Sequence, residues 1–179
     1  MLRRLAWCSL PSPALSARQI DHIVACSHVN NVRDHISGML LFTGGHFLSM
    51  LEGEERELQK LWLLLESDQR HCNLFRIGND LCGNRLYPAW GSAYLEDSDV
   101  NDQIESLRTM LEHKGQPRER GEPLRPLQTR ASPAWAQVVH PILLRGRVLL
   151  GGGRERVPWE PGEMERVRES DVSDLGMAD

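Results

Sequence analysis

What this 179-residue sequence lacks narrows its class before any motif is read. No apolar run approaches the roughly 20 residues that cross a bilayer, and the first residues hold no continuous apolar segment with a small-residue cleavage site. The expectation is a cytoplasmic protein that does not associate with membranes. Four cysteines, Cys8, Cys26, Cys72 and Cys82, form no Cys-x-x-Cys pair, which removes the spacing of a zinc site or a disulfide framework and leaves them as small apolar side chains. An excess of one charge is also missing. Lys and Arg number 21 against 25 Asp and Glu, a formal charge of −4, and the basic residues gather on no single element, so nucleic acid is not an expected partner. Cys8 or Cys72 could pair with His71 as a nucleophile, but no third orienting residue can be named. No enzymatic activity and no metal are expected, and no internal repeat stands out.

What remains is 40% hydrophobic residues, adequate for one core in one domain with an appendage. Leu2 to Ser9 is short, apolar-rich and followed by Pro11 and Pro13, which suits a first strand. Ser16-Ala-Arg-Gln19 is a capping box, and Ile20, Ile23, Val24 and Ser27 follow at helical spacing, predicting a helix from Ala17 to Ser27 with Asn30 and Asn31 just past its end. Ile36 to Phe42 is nearly all apolar, Gly44-Gly45 can supply the positive φ of a tight turn, and His46 to Leu51 alternates, so a hairpin is expected. Leu58, Leu61, Trp62 and Leu65 give a second helix over Glu54 to Glu66, with acidic residues in its first turn favouring the helix dipole. Leu74 to Cys82 and Tyr87 to Leu95 read as two further strands about a Gly83-Asn84-Arg85 turn.

The order β-α-β-β-α-β-β predicts an α+β, ferredoxin-like sheet with two helices on one face and the Leu2–Ser9 strand placed centrally, the core ending near residue 95. A third helix, Asp99 to His113 within a 96–115 extension, carries Ile104, Leu107 and Leu111 as a stripe, for which the open face of the sheet is the natural cover. Beyond it the composition changes: seven of ten prolines lie between Pro117 and Pro161, and Gly151-Gly152-Gly153 interrupts the rest. Residues 116–179 are expected to be largely disordered, with a short partner-binding segment around Ala134 to Leu150 as the exception.

By residue chemistry alone Asn30-Asn31 has two readings, a helix exit, since asparagine tolerates left-handed backbone, and a pair of carboxamides offering donor and acceptor to a ligand edge. Ile23 lies two turns before Asn31 on the same stripe. Asp68, Arg70 and His71 close the second helix, and by residue type they read as a solvated helix end.

The motifs of the first 95 residues, taken together, resemble the BLUF family of blue-light sensors that hold FAD. The resemblance rests on Leu2-x-x-Leu5, Leu15-Ser16, Ser27-x-x-Asn30-Asn31-x-Arg33-Asp34-x-Ile36-Ser37-Gly38-Met39-Leu40, Phe47-Leu48-x-x-Leu51-Glu52-Gly53, Asp68-x-Arg70-His71 and Arg85-x-x-x-x-Trp90, in this order and spacing. It implies FAD as cofactor, its ring between the two helices, Asn31 at the N3 and C4 carbonyl side with Asn30 beside it, Ile23 on the ring, and Asp68, Arg70 and His71 at the far edge. It further implies a signalling tryptophan, Trp90, a downstream protein partner and, from the habits of the family, a homodimer.

At several positions the chain departs from the pattern. In the resembled family a first-strand tyrosine gives up an electron and a proton under light, and a neighbouring glutamine rearranges its hydrogen bonds to store the signal. Trp7 and Ser49 stand at those two positions. Indole can donate an electron, but its N–H cannot accept a hydrogen bond, and a serine hydroxyl is about two bonds too short to bridge from strand to flavin and has no carboxamide to reorganise. His35 stands where glycine is common, Ser92 where methionine often follows the tryptophan, and Leu64 where a basic residue often meets the C2 carbonyl. The expectation is therefore an FAD-binding domain with an impaired or lost photocycle, the alternatives being a flavin-free interaction module or a sensor that uses Trp7 as electron donor.

Overall fold

The computed structural model describes residues 1–95, 97–112, 139 and 141–143, with side chains in the last helix through residue 110. The elements run β1 (Leu2–Pro11), α1 (Ala17–Arg33), β2 (Ser37–Phe42), β3 (Phe47–Glu54), α2 (Glu55–Ser67), β4 (His71–Leu81), β5 (Trp90–Tyr94) and α3 (Ser98–Glu112). The five strands form one sheet in the order β4-β1-β3-β2-β5, antiparallel except for the parallel β2–β5 pair. This is the expected ferredoxin-like arrangement: α1 crosses from β1 to β2 and α2 from β3 to β4, so β1 is an interior strand and β3 the middle one.

The period of two in the strands divides the core into two clusters. Leu5, Trp7, Leu40, Phe42, Phe47, Leu51 and Trp90 pack with Ile23 of α1 and with Leu58 and Trp62 of α2. Ala6, Cys8, Met39, Leu41, Leu48, Met50, Phe75 and Ile77 face the other way, against Val100, Ile104 and Leu107 of α3. The third helix thus covers the open face, as its stripe suggests. Val139, Ile142 and Leu143 are buried in that same cluster, so the apolar exception within the proline-rich tail contributes to the core. The rest of the 116–179 tail, and its expected disorder, lies outside the described residues.

Three boundaries differ from expectation: β4 begins at His71 instead of Leu74, so His71 opens a strand and does not close the second helix, and two others differ for identifiable reasons. The first helix does not stop at Ser27 but runs to Arg33, which places Asn30 and Asn31 inside its last turn instead of beyond it. Its start is the predicted capping box, with Ser16 N–H donating to Gln19 Oε1 at 2.9 Å. Its end is a Schellman closure: His35 N–H donates to Val32 O and Ile36 N–H to Asn31 O, at 3.2 and 2.7 Å, with His35 left-handed at φ 54°. A histidine at that position hides the stop signal that glycine would have given. The fifth strand begins at Trp90 and not Tyr87, because the amides of Leu86 and Tyr87 donate to the Glu52 carboxylate and Pro88 has no amide to offer a ladder.

Glycine is required at two positions of the β2–β3 ribbon. Gly44 supplies φ 80° in the hairpin closed by Thr43 N–H to His46 O at 2.9 Å. Gly38, at φ 144°, passes so close to β3 that a Cβ would overlap the carbonyl of Met50.

Candidate functional site

The sheet register brings together residues that are far apart in sequence. Trp7 of β1 pairs with Ser49 of β3, Ser49 with Leu40 of β2, and Leu40 with Ser92 of β5. Trp7 also pairs with Arg76 of β4, completing one row across all five strands. Its central members lie on the face covered by α1 and α2, since Trp7 and Leu40 belong to that cluster. Trp90, two residues before Ser92, joins the same cluster. The expected photocycle positions are therefore neighbours under the two helices.

Within the row, Ser49 is fully buried and its hydroxyl donates to Met39 O at 2.9 Å, which uses its single proton on the sheet's own backbone. Trp7 is 3% exposed and stands edge-on to His71, with ring centroids 5.6 Å apart. His71 also meets Phe47 at 4.9 Å, and its Nδ1 lies 2.9 Å from Ser9 Oγ. Burial pushes the His71 imidazole below its ordinary pKa against the opposing pull of Asp68, so the neutral ring is the stable form. The sequence suggested a solvated helix end at His71, yet its side chain is 2% exposed.

Asp68 and Arg70 form a forked pair after α2, with Arg70 Nε 2.9 Å from Asp68 Oδ1 and Arg70 Nη2 2.6 Å from Asp68 Oδ2. The Arg70 amide also donates to Asp68 Oδ1 at 2.9 Å. Burial alone would raise the Asp68 pKa, but these hydrogen bonds from Arg70 outweigh it and hold the carboxyl below its ordinary value. On α1, Ile23 and Asn31 are the two buried residues, the carboxamide sharing the apolar stripe as its spacing suggested, while Asn30 is half-buried.

Three contributors were given no role from the sequence, Glu52 and Arg85 counting only as motif residues and Arg76 not at all. Glu52 is fully buried; its carboxylate accepts from Arg4 Nε at 2.6 Å and from the amides of Leu86 and Tyr87. Arg85 reaches Ser37 Oγ and His35 O, both at 2.8 Å, and Glu52 O, tying the exit of α1 to the segment that leads into Trp90. Arg76 places its guanidinium 5.7 Å from the Trp62 ring centroid. An acid inside the apolar run Phe47–Gly53 was the available signal for Glu52, and the Arg85-x-x-x-x-Trp90 spacing for Arg85; nothing in sequence spacing signals Arg76.

The ferredoxin-like sheet thus buries a carboxamide, an imidazole and indole groups beneath two helices, polar groups in an apolar setting. The sequence model of the BLUF family, described as "Sensors of blue-light using FAD", matches residues 2–93, about half of the chain. The chain belongs to the BLUF family, whose cofactor is FAD. It is 29% identical over 83 residues to the "Blue light- and temperature-regulated antirepressor BluF" of Escherichia coli strain K12, a match covering 46% of this chain and 20% of that protein. It is 28% identical over 115 residues to the "Photoactivated adenylate cyclase subunit alpha-like protein FB" of Euglena gracilis, covering 62% and 11%. The chain thus spans about a fifth and a tenth of these relatives. Among solved structures it is similar to the dark state of BlrB, a BLUF protein, with a TM-score of 0.51 at 26% identity over 61% of this chain and 83% of that one. A bacterial light-regulated adenylyl cyclase gives 0.52 at 29% identity, over 64% and 35%. No described helix is long and apolar enough to cross a membrane, and no metal-binding cluster occurs among the described residues.

The donor set fits such a cofactor. The Nε1 atoms of Trp7 and Trp90 are buried and have no hydrogen-bond partner among the described residues, an unsatisfied state that a ring bearing carbonyl acceptors would relieve. Asn31 adds a buried donor and acceptor.

Proposed function

We propose that this chain is an FAD-binding BLUF domain that has lost the family's light-driven hydrogen-bond exchange. Asn31 and Asn30 would meet the alternating polar edge of the ring, Ile23 its face, and Asp68, Arg70 and His71 its far edge. FAD, when bound, supplies the absorption of blue light. The observation that carries the reading is the cross-strand pair Trp7–Ser49, in which one partner has an N–H that can donate but not accept and the other has its only proton engaged by Met39 O. Such a pair cannot trade donor and acceptor roles. By analogy with a light-regulated antirepressor, the output is contact with another protein in the cytoplasm, and a homodimer is the assembly to examine.

The absorption spectrum of freshly purified protein tests this directly. A yellow protein without a reversible red shift under blue light is expected; a reversible shift would overturn the loss of photocycle. Colourless folded protein, with no gain in thermal stability on adding FAD, would select a flavin-free interaction module. The double substitution Trp7→Tyr and Ser49→Gln should restore a light response in yellow protein, and continued silence would place the defect elsewhere.

A further inference from the structure

We propose that the indole N–H of Trp7 is a fixed hydrogen-bond donor to an acceptor atom on the bound flavin ring, a ligand-positioning role that stands in for the missing glutamine. The inference rests on the FAD reading above and concerns what the substituted residue does there, not what it fails to do. A buried donor without an acceptor costs stability, so its persistence in a core calls for an acceptor that the bare chain does not supply. Trp7 meets that description: it is 3% exposed, and its Nε1 is buried with no partner among the described residues. None of its neighbours among the described residues places an acceptor within hydrogen-bond reach of that nitrogen. Ser49, directly opposite, has its hydroxyl turned to Met39 O; His71 meets Trp7 ring to ring, and its Nδ1 lies within hydrogen-bond distance of Ser9 Oγ. Arg76, on the other flank, is a donor only. The position is also the right one. Trp7 sits on the helix-covered face with Ile23, next to Ser49, the middle member of the cross-strand row. A serine opposite it withdraws the bulk that a glutamine would place there.

A donor that cannot also accept holds one arrangement in dark and light alike, so Trp7 anchors the ring and keeps its electronic environment constant. Removing one neutral hydrogen bond of about 0.5–1.5 kcal/mol corresponds to roughly a two- to thirteenfold weaker Kd.

The test is two-dimensional NMR of the full chain labelled with nitrogen-15 at tryptophan, in which the five indole N–H signals are followed while FAD is added, and the Trp7 signal is assigned by its loss in Trp7→Phe. The expected result is a downfield shift and slowed solvent exchange of the Trp7 indole proton on binding, unchanged by blue light, with the FAD Kd of Trp7→Phe weakened by the factor above. FAD binding with the Trp7 indole signal unmoved would overturn the inference and leave the FAD reading intact. Failure to bind FAD would sink both. Should Trp7→Phe not fold, selective Trp7 assignment by Trp90→Phe, Trp62→Phe and the two tail substitutions Trp135→Phe and Trp159→Phe keeps the wild-type measurement decisive.

Discussion

Replacing His35 by glycine should stabilise the protein, although nothing about the histidine's own contacts requires it. His35 occupies the left-handed position that closes α1, at φ 54°, where a side chain costs about 1–2 kcal/mol. Glycine removes that cost but brings a looser unfolded chain, worth about 0.4–1 kcal/mol in the opposite direction. The difference is a net gain of about 0.5–1 kcal/mol, which for a domain near 100 residues corresponds to roughly 3–6 °C in Tm. The backbone bonds that define the closure, Ile36 N–H to Asn31 O and His35 N–H to Val32 O, are independent of the side chain and should survive. Urea unfolding of wild type, His35→Gly and His35→Ala separates strain from lost contacts, since alanine keeps the strain and removes the imidazole. An increased midpoint with unchanged slope for glycine alone is the expected outcome. A glycine variant no more stable than the alanine variant would show that the left-handed turn carries no strain, and the account of how α1 ends after Arg33 would need replacing.

Three further outcomes follow from the same geometry. Glu52→Ala, which strands Arg4 and two backbone amides, should cost about 3–5 kcal/mol in chemical denaturation; a loss under 1 kcal/mol would deny the carboxylate its anchoring role. Gly38→Ala should yield little folded protein by circular dichroism, because both its φ of 144° and the Met50 carbonyl exclude a Cβ. For pH, the buried His71 has a folded pKa below the 6.5 of the unfolded chain, so the unfolded state binds more protons and stability falls as pH drops below about 6.5, with at most about 1.4 kcal/mol per pH unit. Asp68, also depressed, contributes stability that is present above about 3.8 and lost as pH falls through its folded value. Thermal melts between pH 7.5 and 5 should show the first decline in wild type and a flatter profile in His71→Gln; identical slopes would remove His71 as its source.

The sequence determined what local physics can specify. The Ser16–Gln19 box started α1, the glycine turn at Gly44 set the β2–β3 hairpin, and the apolar stripe of α3 announced a covered sheet face, because each depends on residues a few positions apart. Ordered motifs also carried the family and its cofactor. Tertiary structure decided everything that depends on distant partners. The exit of α1 is tied down by Arg85, fifty positions on, which binds the His35 carbonyl, and at the start of β5 Glu52 takes amides from a segment over thirty residues away. His71 looked like a helix end in solvent and became a buried neutral ring only because Trp7 and Phe47 arrive from other strands. Cross-strand register made Trp7 and Ser49 partners, a relation set by hydrogen bonds between β1 and β3 that no spacing along the chain encodes.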